Sequence, residues 1–231
     1  MALPEEYKDM IEPEFHGCYD LCRPYTMTSK ERMYVLFNAI HFIIKARIPG
    51  DFVECGVWKG GSVMMIAATL KSMGITDRTI YLYDTFDGMT PPTDADIDWK
   101  GNSAKDLLMQ SEKKADTIWV YVPIDEVRTN LEKTGYPMDK FKFVRGDVLQ
   151  TIPENAPEKI SLLRLDTDWY ESTRHELEHL FPRLSDRGIL ILDDYGYHQG
   201  SRKAVDEYFA KYPNAYYPHR IDSTARCLIK A

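Results

Sequence analysis

Long apolar runs are missing from the sequence. No stretch is long enough to cross a membrane, and the first residues contain neither a basic segment nor an apolar one. This pattern predicts a cytoplasmic protein without a membrane anchor. Positive charge is also scarce, since the formal net charge is -7. An acidic chain has no general electrostatic reason to bind nucleic acid or an anionic membrane surface, so we expect neither as a partner.

Cysteine is sparse as well. The four cysteines are scattered, and only Cys18 and Cys22 lie close together, which argues against a disulfide framework. This C-x3-C pair, with His16 nearby, could in principle hold a metal ion, but no second pair completes four ligands. We therefore interpret the cysteines as ordinary thiols in a reducing compartment.

No linker rich in proline, serine or glycine divides the chain. With 231 residues, 44% of them hydrophobic, the sequence is long enough for one well-buried core. We expect a single domain over residues 1–231, in which residues 1–50 form an N-terminal helical extension or lid.

Strand and helix signals alternate along the chain. A capping box, Thr28-x-x-Glu31, precedes apolar residues at helical spacing, and further helices are predicted near 61–70, 172–184 and 201–212. The predicted strands are residues 52–57, 79–83, 141–144, 160–165 and 189–192. This alternation predicts an α/β fold: a Rossmann-like, doubly wound, mostly parallel sheet with helices on both faces. Residues 216–221 and 225–229 are predicted to form a C-terminal antiparallel hairpin.

A glycine-bearing turn follows the first predicted strand. Gly56, Gly60 and Gly61 lack a Cβ atom and precede a helix, so a ligand could approach the backbone and the helix N–H groups there. Glu54 precedes the first glycine, and the spacing differs from the G-x-G-x-x-G of dinucleotide-binding proteins. Asp84, at the end of the second strand, is placed to hydrogen-bond ribose hydroxyls. Together these residues predict a site for a nucleoside cofactor.

Two acidic patches follow the last two strands of the parallel sheet. Asp166 and Asp168 come directly after residues 160–165, and Asp193 and Asp194 come after residues 189–192. Buried carboxylates are costly unless they are neutralised, so this arrangement indicates either a hard divalent cation or acid–base chemistry. We expect the reaction to take place here.

Mg2+ matches three of these acids. It prefers octahedral oxygen coordination, so Asp166, Asp193 and Asp194 could supply three ligands and leave positions for water or substrate hydroxyls. Coordination lowers the pKa of a hydroxyl, and Asp168 is then the candidate general base that removes its proton. The alternative interpretation is that Asp168 and Asp194 only cap helices or turns.

Four motifs resemble the macrocin O-methyltransferase family. They are DFVECGVWKGGS at 51–62, YDTFDG at 83–88, LRLDTDWYEST at 163–173 and LDDYG at 192–196. The similarity extends from about Tyr25 to about Tyr208. The resemblance implies a class I methyltransferase fold and an S-adenosylmethionine-dependent, magnesium-assisted enzyme that methylates sugar hydroxyls of antibiotics. The resemblance also implies the same roles for the acids, with Asp166, Asp193 and Asp194 as metal ligands and Asp168 as the base.

The resemblance also implies which residues bind the cofactor. Thr26 and Met27 are expected to fold back onto it, and Asp147 to approach the adenine. The full implied set is Thr26, Met27, Glu54, Cys55, Gly56, Val57, Trp58, Asp84, Thr85, Phe86, Asp87, Gly88, Gly146 and Asp147. The acceptor is expected to be a glycosylated or sugar-like small molecule. The aromatic-rich N-terminal segment and the terminal hairpin favour a homodimer.

Two other functions remain open at this point. The pattern Asp166-x-Asp168 also matches the D-x-D motif with which many nucleotide-sugar glycosyltransferases hold a metal ion. A non-catalytic cofactor-binding protein could retain the same fold.

The connection at residues 90–102 is long enough to act as a substrate lid. Its acids Asp94, Asp96 and Asp98 resemble the start of a calcium loop but lack the required glycine and glutamate. We interpret them as a solvated acidic loop. His198, beyond the second acidic patch, could contact the substrate.

Overall fold

A computed structural model describes residues 7–213 and 215–231. The first six residues of the predicted N-terminal extension therefore lie outside the described residues. The prediction drawn from the lack of a basic or apolar segment there lies outside them too. No helix within the described ranges combines the length and apolar character needed to span a bilayer.

Seven strands form one sheet in the order β3-β2-β1-β4-β5-β7-β6. β1 to β5 are parallel, and β7 is antiparallel to both β5 and β6. The strands are β1 Asp51–Cys55, β2 Ile80–Asp84, β3 Phe141–Arg145, β4 Ile160–Leu165, β5 Leu184–Leu192, β6 His219–Arg220 and β7 Arg226–Ile229. The predicted fold class, a mostly parallel sheet with a C-terminal antiparallel pair, is confirmed. β5 begins five residues earlier than expected because its first half carries polar, partly exposed side chains that hide the strand signal.

Eight α-helices connect the strands in the described ranges. They are α1 Pro13–Cys22, α2 Lys30–Lys45, α3 Gly61–Ser72, α4 Ala104–Gln110, α5 Ile124–Glu132, α6 Val148–Thr151, α7 Tyr170–His179 and α8 Gln199–Ala210. Helices α1, α2, α3 and α5 contribute to a hydrophobic core on one face of the sheet, and α6, α7 and α8 contribute to a core on the other. A sheet covered on both faces needs strands that are apolar on both sides, which explains the continuous apolar runs in the sequence.

Side chains of β4 alternate between the two cores because successive residues of a strand point to opposite faces. Leu162 packs in the core beside α2 and α3, whereas Leu163 and Leu165 pack in the core beside α7 and α8. Arg164 lies on the same face as Leu162 and is 2% exposed. A guanidinium group is thereby buried near the carboxyl end of the central strands.

The N-terminus of α2 differs from the predicted capping box. The capping residue is Ser29, whose Oγ accepts a hydrogen bond from the Arg32 backbone N–H at 3.2 Å. Thr28 lies one residue further out, and its Oγ1 accepts instead from Nη2 of Arg164 at 3.2 Å. The sequence pattern shows which residues could cap, but it does not show that Thr28 is used by a buried arginine.

Asp222 ties α2 to the C-terminal hairpin. Its Oδ2 accepts hydrogen bonds from Ser29 Oγ at 2.8 Å and from Arg32 Nε at 2.6 Å. Its Oδ1 accepts from the backbone N–H groups of Thr224 at 2.9 Å and Ala225 at 2.8 Å. Partial burial opposes ionisation of Asp222, but the Ala225 N–H and the Arg32 guanidinium outweigh it and lower its pKa. One carboxylate therefore holds two distant segments together.

Replacing this carboxylate should weaken the fold in a pH-dependent way. We expect Asp222→Asn to lose roughly 1–2 kcal/mol at pH 7, which lowers Tm by roughly 2–8 °C in a domain of this size. The folded pKa lies below the ordinary value of 3.8. The contribution is therefore complete above that pH and is lost as the pH falls further. Thermal unfolding from pH 7 to pH 3 measures it.

Asp20 provides the control because it is exposed. Asp20→Asn removes a carboxylate that lacks the set of hydrogen bonds that Asp222 accepts. A stability gap between wild type and Asp222→Asn that stays constant down to pH 3 would contradict this assignment.

Candidate active site

A cavity of about 570 Å3 opens at the carboxyl ends of the parallel strands. It lies where the strand order reverses between β1 and β4, the usual position for ligands in open α/β sheets. Most of the predicted site residues line it: Thr26, Met27, Glu54, Gly56, Val57, Trp58, Asp84, Thr85, Gly88, Gly146, Asp147, Asp166, Asp168, Asp193 and Asp194. The acidic patches and the glycine turn thus belong to one cavity.

Three predicted cofactor residues are not among those that line the cavity. Cys55 points to the opposite face of β1 from Glu54 and is fully buried in the core beside α7 and α8. Phe86 packs against Phe143, with 6.0 Å between ring centroids. Asp87 is exposed and pairs with Lys113 at 2.9 Å. A linear motif includes such residues because it cannot distinguish side chains that alternate between cavity, core and solvent.

The glycines of the turn make room for the protein's own backbone. A Cβ atom on Gly56, which has a φ of +81°, would overlap the carbonyl oxygen of Asp166. A Cβ atom on Gly61 would lie 2.5 Å from the carbonyl oxygen of Tyr25. These contacts bring the end of β4 and the N-terminal segment against the turn. Gly56 and Gly61 also line the cavity, so the prediction that the turn admits a ligand stays a prediction.

Asp84 shapes the same turn through three backbone hydrogen bonds. Its Oδ2 accepts from the N–H groups of Val57 at 2.7 Å and Trp58 at 3.4 Å, and its Oδ1 accepts from Phe86 at 2.7 Å. Burial raises the pKa of Asp84, although these N–H groups oppose the shift. The carboxylate thus fixes the turn from the end of the neighbouring strand while also lining the cavity.

Arg164 neutralises the acidic strand ends and was not singled out by the sequence analysis. Its Nη1 donates to Glu54 Oε1 at 2.9 Å and lies 2.7 Å from Asp166 Oδ2. Its Nη2 donates to Asp193 Oδ1 at 2.6 Å. The available signal was an arginine inside the apolar run 160–165, immediately before an acidic patch. A charged side chain in a buried strand requires a charged partner nearby.

A second arginine, Arg32 of α2, reaches the same cluster. Its Nη1 donates to the other carboxylate oxygen of Asp193, while its Nε binds Asp222. Glu54 is held on one side only, because its Oε2 is buried without a hydrogen-bond partner. Burial raises the pKa of Glu54 to about 8, against the opposing effect of Arg164. This oxygen is an unsatisfied acceptor on a residue of the cavity wall.

Asp168 and His198 form an ion pair on the other side of the acidic cluster. Asp168 Oδ1 lies 3.3 Å from His198 Nε2, and the Asp168 backbone N–H donates to Asp194 Oδ2 at 3.2 Å. Burial disfavours both charges, but their attraction is larger, so the pKa of Asp168 is lowered and that of His198 is raised. Burial and the nearby Asp168 charge raise the pKa of Asp194.

Two overlapping groups in the described residues could hold a metal ion. Ligand atoms of Asp166, Asp193 and Asp194 lie within 4.8 Å of one another, and so do those of Asp168, Asp194 and His198. The first group is the one predicted from the sequence. Its all-oxygen donor set suits Mg2+.

The loop expected to be solvated and acidic is solvated only in part, since Asp94 is exposed but Asp96 and Asp98 are buried beside the site. Asp96 and Asp98 are 1% and 6% exposed. Asp96 Oδ1 accepts from the Tyr170 backbone N–H at 2.7 Å, at the start of α7. Asp98 accepts from two backbone N–H groups and from the Asn102 side chain. The prediction was wrong for these two acids because Asp96 accepts from the distant Tyr170, while Asp98 accepts three hydrogen bonds within its own turn.

Comparison with known proteins identifies this arrangement. The family model of the macrocin O-methyltransferases matches residues 19–227. The chain belongs to the macrocin O-methyltransferase family. It is 36% identical over 188 residues, 81% of this chain and 69% of the relative, to 8-demethyl-8-(2,3-dimethoxy-alpha-L-rhamnosyl)-tetracenomycin-C 4'-O-methyltransferase of Streptomyces olivaceus. It is 31% identical over 184 residues, 80% of this chain and 70% of the relative, to mycinamicin III 3''-O-methyltransferase of Micromonospora griseorubida.

Solved structures agree with this membership. The O-methyltransferase NovP superposes with a TM-score of 0.77 at 29% identity, over 90% of this chain and 82% of that one. The calicheamicin methyltransferase CalS11, with a TM-score of 0.64 at 17% identity, covers 99% of this chain and 94% of that one and supports the fold alone. Like its relatives, this member of the macrocin O-methyltransferase family is an S-adenosylmethionine-dependent O-methyltransferase. Methyl transfer is thus favoured over the glycosyltransferase and non-catalytic alternatives.

The close approach at Gly56 can be tested against a glycine with the same backbone conformation. Gly74 has a φ of +74°, but a Cβ atom there would meet nothing within 4 Å. We expect Gly74→Ala to cost about 1 kcal/mol, the strain of a left-handed residue. Gly56→Ala should cost at least about 2 kcal/mol more, because its Cβ overlaps the β4 backbone. Urea unfolding measures both, and equal losses would mean that the contact with Asp166 is unimportant.

Proposed function

We propose that this enzyme transfers the methyl group of S-adenosylmethionine to a sugar hydroxyl of a glycosylated small molecule, with Mg2+ held by the acidic strand ends. The observation that carries the proposal is that one cavity contains both the glycine turn and the acids that follow β4 and β5, Asp166, Asp168, Asp193 and Asp194. The relatives named above include a methyltransferase for a rhamnosyl-tetracenomycin. The acceptor class is inferred by analogy with them.

The cofactor end of the cavity suits S-adenosylmethionine. Glu54 Oε2 is a buried acceptor without a partner, and the cofactor carries an ammonium group that could donate to it. Asp84 keeps lone pairs that could accept from ribose hydroxyls. We assign Thr26 and Met27 to the cover of the cofactor and Gly146 and Asp147 to its adenine end. The remaining cavity-lining positions of the motif, Gly56, Val57, Trp58, Thr85 and Gly88, complete this wall.

The acidic end suits a divalent cation. Five carboxyl groups lie together there, and four of them pair with two guanidinium groups and His198. These four are Glu54, Asp166, Asp168 and Asp193, whereas Asp194 is in none of these pairs. The acids of the cluster outnumber these cations, and burial raises the pKa of Glu54 and of Asp194, so a bound cation would stabilise their ionised forms. We assign Asp166, Asp193 and Asp194 to Mg2+. When bound, the cation would supply Lewis acidity that lowers the pKa of an acceptor hydroxyl.

Asp168 is the proposed general base. Its lowered pKa keeps the carboxylate ionised, so that it could accept the proton as the acceptor oxygen attacks the methyl group. His198 stabilises the charge of Asp168 from 3.3 Å. The Asp168–His198 contact is also compatible with the opposite roles, in which His198 is the base and Asp168 orients it. The variants described below distinguish these two assignments.

The proposal extends to the domain organisation, the oligomeric state and the cellular location of the enzyme. We propose that residues 1–231 fold as one domain with 1–50 as an N-terminal helical extension or lid, since Tyr25, Thr26 and Met27 reach the cavity wall. We also propose a cytoplasmic homodimer that acts in antibiotic biosynthesis. Light scattering of the purified protein measures the oligomeric state.

The proposed function is tested by following the methyl group. The protein is incubated with S-adenosylmethionine, Mg2+ and a set of glycosides, and the products are fragmented in a mass spectrometer. A mass increase of one methyl group on the sugar fragment is expected. Methylation confined to the aglycone, or no binding of S-adenosylhomocysteine in calorimetry, would contradict the proposal.

Removal of the metal should stop catalysis but not cofactor binding. We expect EDTA to abolish methyl transfer, because the cation is needed to lower the pKa of the acceptor hydroxyl. The affinity for S-adenosylhomocysteine should be retained, and added Mg2+ should restore turnover. Asp194→Asn should behave like chelated wild type and resist restoration at the same Mg2+ concentration. Full turnover in chelator would rule out a metal role.

Asp168→Asn preserves shape but cannot accept a proton. We expect kcat to fall by roughly 10²–10⁴, with the affinity for S-adenosylhomocysteine nearly unchanged. His198→Asn removes the neighbouring positive charge and the ring contacts with Trp169 and Tyr197, and should cause a smaller loss. Steady-state kinetics with saturating Mg2+ compares them. A larger loss in His198→Asn than in Asp168→Asn would make the histidine the base, and loss of Mg2+ binding in Asp168→Asn would make the aspartate a ligand.

A further inference from the structure

A second groove lies beside the catalytic cavity and shares part of its wall. It has a volume of about 550 Å3, and its wall includes Trp99, Tyr197, His198, Gln199, Arg202 and Lys203. Tyr197 and His198 line both spaces. A ligand with its reactive hydroxyl near Asp168 and His198 could therefore extend into this groove.

Aromatic side chains are presented to solvent in the groove. Trp99 is 61% exposed and Tyr197 is 42% exposed. The rings of Tyr197 and His198 contact each other edge to face, with 4.8 Å between centroids. Exposed aromatic groups of this size, gathered at the mouth of a cavity, commonly mark a surface that binds a ligand.

The turn that carries Trp99 is held in place. The Asp98 carboxylate accepts from the Lys100 N–H at 2.8 Å and the Asn102 N–H at 2.9 Å. The Gln199 N–H donates to the Ile97 carbonyl at 2.9 Å, and the Gln199 side chain donates to the Asp98 carbonyl at 3.1 Å. The exposed indole thus stands on a turn that is bonded to the residue after His198, which pre-organises it for binding.

The charges of the groove do not suit a phosphorylated ligand. Arg202 lies 3.6 Å from Asp206 and Lys203 lies 3.9 Å from Glu207, so both cations face acids. Lys100 is directed over the Trp99 ring, 5.1 Å from its centroid.

The start of α8, where an anion could otherwise bind, already faces a carboxylate. A Cβ atom on Gly200 would overlap Oδ1 of Asp96. Recognition of a diphosphate normally uses free arginines, lysines or helix N–H groups, and this groove offers few of them.

We infer that this groove binds the uncharged ring next to the methylated sugar, an aglycone or second sugar, and that Trp99 is its stacking platform. The acceptor is then a neutral glycoside and not a nucleotide-activated sugar. This inference rests on the proposed function, because it extends the same acceptor site. Rings stack on exposed indole faces through dispersion and apolar contact.

Three probes that share an L-rhamnose ring and differ in the group on its anomeric carbon test the inference. They are para-nitrophenyl α-L-rhamnoside, methyl α-L-rhamnoside and TDP-L-rhamnose, each titrated into protein saturated with S-adenosylhomocysteine and Mg2+. The para-nitrophenyl glycoside should bind about tenfold more tightly than the methyl glycoside. Trp99→Ala should reduce this ratio to about twofold or less, without changing the affinity for S-adenosylhomocysteine.

Tyr217→Ala is the matched control, since Tyr217 is 80% exposed but lines neither space. It should retain the full ratio. Equal binding of the two glycosides to wild type, or an unchanged ratio in Trp99→Ala, overturns the inference. So does tightest binding of TDP-L-rhamnose, or a change in oligomeric state of Trp99→Ala in light scattering. Failure of S-adenosylhomocysteine to bind at all would instead overturn the proposed function.

Discussion

The ion pairs of Arg164 are the interaction on which the rest of the site depends. Its buried guanidinium lies between Glu54, Asp166 and Asp193, at the ends of three neighbouring strands. Charges removed from water are tolerated only when they are paired and hydrogen-bonded. Without this cation, the three neighbouring acids would be left without the buried partner that they share. The arginine therefore allows acids from β1, β4 and β5 to occupy one cavity.

The other features of the site follow from this concentration of acid. Gly56 lets the end of β4 approach the turn after β1, which places Asp166 beside Glu54. Arg32 brings positive charge from α2 and, through Asp222, links the N-terminal segment to the C-terminal hairpin. Carboxylates still outnumber these cations, so the cluster can accept a further one. The same charges that stabilise the fold thereby leave a site suited to Mg2+.

The fold and most cavity residues could be predicted from sequence, because apolar runs and strand-end acids are local signals. What could not be predicted depends on long-range partners. Thr28 has the pattern of a helix cap but binds Arg164, 136 residues away. Asp96 resembles a solvated acid but accepts from the start of α7. Cys55 belongs to a motif that lines the cavity, yet strand alternation turns its side chain into the core.

The central role of Arg164 is tested by a double-mutant cycle with Glu54, measured as the free energy of unfolding in urea. The experiment is done at pH 9, above the pKa of about 8 to which burial raises Glu54. Arg164→Gln alone should cost about 3–5 kcal/mol, because it leaves buried carboxylates unpaired. Adding Glu54→Gln removes one of those charges, so the double variant should lose at least about 1 kcal/mol less than the sum of the single variants. Additive losses, within about 0.5 kcal/mol, would contradict the account.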